Sequence, residues 1–182
     1  MVDIKVQKVR DNVTLPVYAH ETDAGMDVRA AEDVLIPPGH TVVIPTGIAM
    51  VIPEGYEIQV RPRSGCSVKT KLRVVNGTID SGYRGEIGVI VDNISKDYIW
   101  SYDAAPKRLP PTQVFDVNGK PVGRYFQNIN CQDGYYEIKK GDRIAQLVIS
   151  RVEKAELSLY GDVSKIEGDG RGANGYGSSG TE

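Results

Sequence analysis

The stretch VLIPPGHTVVIPTGIAMVIPEGYEIQVR, residues 34–61, indicates the fold of this chain. Short runs rich in Val and Ile alternate in it with the turn-forming triplets Pro-Pro-Gly, Pro-Thr-Gly and Pro-Glu-Gly. β-Branched side chains favour strands, and Pro and Gly favour the turns between them. Because short strands follow one another at this spacing, and the chain shows almost no helical periodicity, we predict an all-β fold with a jelly-roll-like barrel.

Length and composition limit the classes of function. The chain has 182 residues, which suits one compact domain with at most a small appendage. Its net charge of -2 argues against direct binding of nucleic acid or of an anionic membrane, so any phosphate must be bound locally. No apolar run is long enough to span a membrane, and the charged N-terminus is not a signal peptide, so we expect a cytoplasmic protein.

The cysteines and histidines do not predict a metal centre. Cys66 and Cys131 are distant in sequence, and neither has a partner at zinc-ligand spacing. His20 and His40 also lack a ligand-spaced neighbour. We therefore expect two free thiols, and any bound metal should have oxygen ligands, as Mg²⁺ prefers.

A second stretch, NGTIDSGYRGEI at residues 76–87, predicts a site. The Asn-Gly pair at its start is typical of a tight β-hairpin turn. Asp80 could act as a general base and Tyr83 offers an apolar face, while Gly82 and Gly85 are expected to let backbone approach a ligand. Alone, the string also fits a tight turn with a surface Asp, so the case for a site depends on the rest of the chain.

Residues 61–67, RPRSGCS, predict the start of a short helix. An Arg precedes Ser64 and Gly65, so a hydroxyl and unpaired N–H groups would face an anion beside a guanidinium. Phosphate is the natural ligand of such a group. A capped surface helix with solvated arginines explains the same pattern.

The composition of the remaining chain changes from one stretch to the next. Residues 93–133 are rich in aromatic residues and Pro, and residues 113–126 predict a β-hairpin with a type I′ turn at Asn118-Gly119. This stretch is either a small inserted subdomain or a long loop packed on the barrel. The predicted organisation is a barrel of residues 1–92 and 134–160, an insert of residues 93–133 and a flexible C-terminal arm of residues 161–182.

The C-terminal arm contains an Arg and an aromatic residue, which a solvated linker does not need. Arg171 and Tyr176, followed by Gly177, Ser178 and Ser179, are typical of an arm that orders over a ligand as a P-loop-like lid. The guanidinium, hydroxyls and N–H groups would contact phosphate, and the aromatic ring would cover the ligand.

Several polar and aromatic residues interrupt the strand pattern, and their side-chain groups complement one another. They supply arginines and hydroxyls for phosphate oxygens, carboxylates for Mg²⁺ and water, and aromatic rings for a base and a sugar. Without a Cys-His or Ser-His pair, water activated by a carboxylate is favoured over a covalent nucleophile, and phosphoryl hydrolysis fits this inventory. The residues are Asp27, Arg63, Ser64, Asp80, Tyr83, Gln146, Arg171, Tyr176, Ser178 and Ser179.

Five segments in chain order, DAGMDVRA, RPRSGCS, NGTIDSGYRGEI, GDRIAQL and RGANGYGSSG, resemble the five motifs of the homotrimeric all-β dUTPases. The resemblance covers nearly the whole chain. It implies a jelly-roll-like fold, three active sites at subunit interfaces, Mg²⁺, and hydrolysis of dUTP to dUMP and pyrophosphate, which limits uracil in DNA. The insert most resembles that of staphylococcal phage dUTPases, which implies a host-cytoplasmic protein with a second role, binding a repressor of a mobile pathogenicity island.

The resemblance also implies a role for each matching residue. Asp80 matches the carboxylate that activates water, Tyr83 the aromatic ring under the deoxyribose, and Asp27 the acid that holds metal-bound water. Backbone groups around Gly77 and Ile79 would select uracil. The phosphate contacts match Arg63, Ser64, Gly65, Gln146, Arg171, Gly177, Ser178 and Ser179, and Tyr176 matches the ring stacked on uracil.

Two rival functions remain at this point. A dCTP deaminase of the same fold would need a glutamate-centred site where this chain has Ile-Asp-Ser-Gly-Tyr. A protein-binding regulator would use the nucleotide pocket only as a switch, and the aromatic insert favours it. Three departures from the family pattern bear on the site. Cys66 replaces an aliphatic residue and should pack as a small hydrophobe, and a base contact by Asn76 stays open. In the arm, Tyr176 stands where Phe is commoner and Asn174 where Gly is commoner.

Overall fold

The computed structural model describes residues 2–95, 112–126 and 134–166. In these residues strands dominate, with one short α-helix, α1 (Ser64–Lys69), and a 3-10 turn at Val163–Lys165. The strands are β1 (Lys5–Lys8), β2 (Met26–Arg29), β3 (Val34–Ile36), β4 (Thr41–Pro45), β5 (Ile48–Val51), β6 (Tyr56–Arg61), β7 (Leu72–Val74), β8 (Gly77–Ile79), β9 (Gly88–Asn93), β10 (Thr112–Phe115), β11 (Pro121–Phe126), β12 (Tyr135–Ile138) and β13 (Arg143–Arg151). The all-β prediction is therefore confirmed.

Short sheets enclose one apolar core. The described strands pair in the orders β1-β5, β11-β10-β12-β3, β2-β13-β6-β8 and β4-β9-β7. Ile36, Ile44, Ile58, Val89 and Leu147 come from three of these sheets, and each is 0% exposed. Because every one of these residues is excluded from water, the inward faces of the sheets form the barrel core that the sequence predicts.

The chain divides into two compact units, Met1–Val152 and Glu153–Glu182. The first unit contains all the strands named above. The described part of the second unit contains the 3-10 turn, where the Asp162 carboxylate accepts a hydrogen bond from the N–H of Ser164. The hydrogen bond from the Ser164 hydroxyl, and after it this bond from the N–H, lower the pKa of Asp162.

The predicted hairpin at the start of the 76–87 segment is wrong. β7 pairs with β9, whereas β8 pairs with β6 in another sheet. Residues between β7 and β8 therefore carry the chain from one sheet to another, and Gly77 does not adopt a positive φ. Pairing with two longer strands has overridden the local turn preference of Asn-Gly.

The predicted hairpin of residues 113–126 is confirmed, but its turn type is wrong. β10 and β11 are antiparallel, and the N–H of Gly119 donates to the carbonyl of Asp116 at 3.0 Å. Only Gly119, with φ of +73°, adopts the left-handed region in this turn, so Asn118 does not complete a type I′ turn. The Asp116 carboxylate accepts hydrogen bonds from the N–H groups of Asn118 and Lys120, which favours a type I turn followed by a glycine bulge.

The described part of the predicted insert continues a barrel sheet. β10 lies beside β12 in parallel register, pairing Val114 with Tyr135 and Phe115 with Tyr136. Val114 is 1% exposed, and the rings of Phe115 and Tyr136 lie 5.9 Å apart. Of the two alternatives left open by the sequence, packing on the barrel therefore describes residues 112–126.

Candidate active site

One buried carboxylate organises the first cluster of predicted site residues. Asp27, on β2, is 7% exposed and accepts a hydrogen bond from Nε of Arg63 at 2.8 Å and from Arg143 at 3.0 Å. Arg63 stands just before α1, and Arg143 begins β13. Because one carboxylate faces two guanidinium groups, the cluster keeps a net positive charge. Such a group suits an anionic ligand.

Gln146, Ser64 and Gly65 lie next to this cluster in the fold. Gln146 on β13 is the register partner of Asp27, and Gly25 leaves room for it, because a Cβ there would lie 3.1 Å from Cβ of Gln146. Ser64 and Gly65 open α1 and are exposed. A Cβ on Gly65 would meet no atom within 4 Å, so its exposed backbone is open to a ligand.

The C-terminal end of the short helix α1 is held by hydrogen bonds. The Arg73 guanidinium donates to the carbonyls of Ser67, Thr70 and Leu72, and the N–H of Lys71 donates to the Tyr136 hydroxyl. The bonds to Ser67 and Thr70 satisfy carbonyls that the end of a helix would leave unpaired. They hold α1 in place, and with it the exposed residues at its start.

Cys66 anchors the same helix in the core. It is 8% exposed, and burial raises the pKa of its thiol, a shift only partly opposed by the contact with Thr70. The expectation that it packs as a small hydrophobe is confirmed. It is a free thiol, whereas Cys131 lies outside the described residues.

Asp80 and Tyr83 form a second cluster after β8. The N–H of Tyr83 donates to the Asp80 carbonyl at 3.0 Å, which closes a turn, and the Tyr83 hydroxyl donates to the Glu86 carbonyl at 2.9 Å. The Asp80 side chain is exposed, and Tyr83 is 47% exposed. Gly77 and Ile79 lie opposite Val60 and Ile58 of β6.

The two clusters lie at different corners of one sheet. β2 and β8 are its edge strands, with β13 and β6 between them, so three strand spacings separate Asp27 from β8. In the strand register, Asp27 is aligned through Gln146 with Arg61 of β6, whereas Ile79 is aligned with Ile58, three residues further along β6. With about 4.8 Å per spacing and about 3.3 Å per residue, the two backbones are more than about 15 Å apart. One chain therefore does not bring Asp80 to the arginine cluster.

The predicted arm residues, Arg171, Tyr176, Gly177, Ser178 and Ser179, lie outside the described residues. Within residues 2–95, 112–126 and 134–166, no three Asp, Glu, His or Cys side chains cluster as a metal site would require. No helix in this part of the chain is long and apolar enough to cross a membrane.

Sequence reasoning missed Arg143 and Arg73. Arg143 belongs to the quoted segment GDRIAQL, but its contact with Asp27 depends on the pairing of β13 with β2. The sequence offered only the signal of an Arg at the start of a strand. Arg73 has no sequence signal, because the three carbonyls that it binds meet only when α1 folds.

The barrel holds arginines and a hydroxyl at one corner and, at another, a loop with an exposed carboxylate and a partly exposed aromatic ring, groups that suit the phosphates and the sugar of a nucleotide. A family model described as dUTPase matches residues 11–101 and 116–180. The chain belongs to the dUTPase family. The unmatched residues 102–115 fall within the predicted insert.

Individual relatives agree with this assignment. A deoxyuridine 5'-triphosphate nucleotidohydrolase of Picosynechococcus sp. is 36% identical over 98% of this chain and 99% of its own length. The dUTPase of Staphylococcus bacteriophage 80alpha, solved with dUpNHpp, is 32% identical over 98% of this chain and 99% of that one, with a TM-score of 0.81. That work describes phage dUTPases as controlling the transfer of virulence genes by a G protein-like mechanism.

The dUTPase of S. aureus phage phi11 is a further structural relative. One structure, described as coordinating a structural Mg(II) ion, is 32% identical over 88% of this chain and 97% of that one, with a TM-score of 0.72. Another, described as showing a species-specific insert, is 33% identical over 90% and 99%, with a TM-score of 0.75. Together the comparisons confirm the expected family, the likeness to the staphylococcal phage type and the enzyme class, dUTP diphosphatase.

Proposed function

We propose that this chain hydrolyses dUTP to dUMP and pyrophosphate at sites that are each built by more than one copy of the chain. The observation that carries the proposal is the separation of Asp80 and Tyr83 from the Asp27–Arg63–Arg143 cluster within one chain. A nucleotide that uses both clusters must lie between two copies. A homotrimer with three shared sites, as the family resemblance implies, meets this requirement.

The environments of the two carboxylates favour different roles. Asp27 is buried, and both of its carboxylate oxygens are committed to ion pairs with Arg63 and Arg143. Asp80 is exposed, and its carboxylate makes no hydrogen bond or ion pair with the described residues. A free carboxylate can accept a proton from water, so Asp80 is the general base that activates water for attack on the α-phosphorus.

The phosphate chain would bind at the arginine cluster. Arg63 offers a guanidinium already oriented by Asp27, and Ser64, Gly65 and Gln146 add a hydroxyl, an open backbone and an amide. Preoriented donors stabilise the charge that develops on the leaving pyrophosphate without moving during the reaction.

The chain's oxygen donors fit Mg²⁺ held through water. The described residues offer no cage of carboxylates, which suits a cation carried mainly by substrate phosphates and water. Both oxygens of Asp27 accept an arginine bond, but a carboxylate oxygen can accept a second donor, so Asp27 can still orient metal-bound water. When bound, Mg²⁺ would neutralise phosphate charge and stabilise the leaving group.

Base and sugar selection would take place at β8 and Tyr83. Among the described strands β8 is an edge strand, so backbone groups on its side away from β6, around Gly77 and Ile79, could pair with uracil. A donor and acceptor pair of this kind rejects cytosine, because its exocyclic amine would leave buried groups unpaired. The ring of Tyr83 would rest against the deoxyribose and exclude a 2′-hydroxyl.

The C-terminal arm would close the site. In this proposal Tyr176 stacks on uracil, while Arg171, Gly177, Ser178 and Ser179 contact the γ-phosphate. Closure would exclude bulk water and so strengthen each charged contact. Such an enzyme would act in the cytoplasm, or in the host cytoplasm if a phage encodes it.

A pyrophosphate-release assay across the common nucleoside triphosphates tests the proposal. We expect rapid release from dUTP and far slower release from UTP, dCTP and dTTP, with activity lost in EDTA and restored by Mg²⁺. Equal rates for dUTP and UTP, or no release from either, would contradict the proposal. Ammonia release from dCTP would favour the deaminase alternative.

A second candidate function is binding of a protein partner, such as a repressor, through the insert. The observation that favours it is the family mismatch at residues 102–115, together with the regulatory role described for the phage 80alpha relative. Because β10 belongs to the barrel sheet, deletion of the whole insert would expose Val114. Deleting only residues 98–108 tests the role more cleanly. Loss of repressor binding with retained dUTP hydrolysis would support it, and retained binding would contradict it.

A further inference from the structure

The Tyr83 ring fills the space that a side chain at position 85 would need. A Cβ built on Gly85 would lie 2.4 Å from the Tyr83 phenol oxygen, 2.7 Å from Cζ and 3.2 Å from Cε2. Contacts this short do not occur in packed proteins, so any side chain at this position would displace the ring. Gly82, in the same loop, differs, because a Cβ there would meet no atom within 4 Å.

An anchored stretch of backbone holds the Tyr83 hydroxyl. Its hydroxyl donates to the Glu86 carbonyl at 2.9 Å, and the next residue, Ile87, is 2% exposed. The N–H of Ile87 donates to the Ile48 carbonyl at 2.8 Å, so the backbone that receives the phenol hydrogen bond is itself anchored. Tyr83 is nevertheless 47% exposed, which leaves part of the side chain free for a ligand.

We propose that Gly85 is a specificity-determining positioning residue that acts through Tyr83. Its missing side chain lets the ring lie against the backbone of the loop and so sets the position at which the ring meets the sugar. The inference rests on the proposed function, because it requires Tyr83 to select the deoxyribose. The sequence pattern predicts that a ligand approaches the backbone at Gly85, whereas in the structure the Tyr83 ring fills that space.

The ratio of kcat/KM for dUTP to that for UTP measures this role. We expect Gly85→Ala to lower the ratio by about tenfold or more, because a displaced ring no longer blocks the 2′-hydroxyl. The Tm should change little, since the half-exposed ring can move without disturbing the core. The ratio for dUTP to dCTP should stay at the wild-type value, because β8 is unchanged. Gly82→Ala should change the dUTP/UTP ratio less than Gly85→Ala does, because a Cβ on Gly82 would meet no atom within 4 Å and so would not displace the ring.

A double-mutant cycle separates action through Tyr83 from direct contact with the nucleotide. Tyr83→Ala should lower the dUTP/UTP ratio, and adding Gly85→Ala should change it no further. An unchanged ratio in Gly85→Ala, or an additional loss in the Tyr83→Ala background, would overturn the inference. If Gly85→Ala fails to fold, recovery of folding in the double variant would support the contact and failure to recover would contradict it.

The cycle also distinguishes this inference from the proposed function. Absence of dUTP hydrolysis by the wild-type protein would contradict the proposed function itself. Wild-type protein that prefers dUTP over UTP, with Gly85→Ala equally selective, would leave that function standing and overturn only the role of Gly85.

Discussion

Asp27 and Arg63 are joined by a 2.8 Å ion pair between a carboxylate that is 7% exposed and a guanidinium that is 25% exposed. Arg143 binds the other oxygen of the same carboxylate at 3.0 Å. Through these contacts the segment DAGMDVRA, which contains Asp27, is joined to RPRSGCS, which contains Arg63, and to GDRIAQL, which contains Arg143. It gives Asp27 a structural role in addition to any contact with metal-bound water.

Asp27→Asn should therefore lower both stability and activity. Loss of the negative charge leaves two guanidinium groups close together, and their partial exposure limits the cost, so we expect the free energy of unfolding to fall by about 1–3 kcal/mol. Chemical denaturation and dUTP turnover measure the two effects. Asp3→Asn, at an exposed carboxylate, is the control. Unchanged stability would show that the ion pairs contribute nothing to folding.

Asp80→Asn should separate catalysis from folding. Because the Asp80 side chain is exposed and unpaired within the described residues, we expect stability to stay within about 0.5 kcal/mol. Turnover should fall by a factor of about 100 or more, since the base is removed, while a non-hydrolysable dUTP analogue still binds. Turnover at the wild-type rate would show that Asp80 is not the general base.

Cys66 should make stability depend on alkaline pH. Burial raises the pKa of its thiol in the folded state, so its contribution is fully present below the pKa of an unfolded thiol, about 8.5, and is lost as the pH rises through the folded pKa. Wild-type protein should lose more unfolding free energy between pH 8 and 10 than Cys66→Ala does, as urea denaturation would show. Parallel pH profiles would contradict this prediction.

Gly119 should couple the hairpin of β10 and β11 to α1. Its φ is +73°, and a Cβ there would lie 2.4 Å from the Lys69 carbonyl at the end of the helix. We expect Gly119→Ala to raise KM for dUTP, because a shifted helix displaces the phosphate contacts at its start. Gly55→Ala is the matched control, since Gly55 has φ of +79° and no neighbour within 4 Å of its Cβ. Equal KM values in the two variants would argue against the coupling.

Much of the fold could be predicted because local chemistry and final structure agree. The Pro and Gly triplets of residues 34–61 separate strands where the sequence expects them, and RPRSGCS does begin a helix. The hydrophobic runs of β4, β5 and β6 supply core residues such as Ile44, Ile48 and Ile58. In these segments the turn residues and the strand pattern favour the same result.

Errors arose where distant pairing overrides local preference. Asn76-Gly77 looks like a hairpin turn, yet the partners of β7 and β8 are strands far along the chain. The Arg143 contact with Asp27 likewise depends on strand register, which no local pattern encodes. The distance between Asp80 and the arginine cluster follows from the order of four strands in a sheet, and for the same reason the sequence alone could not reveal it.

Mixing two inactive variants tests the central claim most directly. If each site joins Asp80 of one copy to Arg63 of another, Asp80→Asn and Arg63→Ala proteins should each be inactive alone. Co-expression should restore dUTP hydrolysis, with about a quarter of the sites carrying both wild-type residues by random assortment in a closed oligomer. Mixed oligomers that form but stay inactive would show that Asp80 and Arg63 act within one chain, which would contradict the shared site.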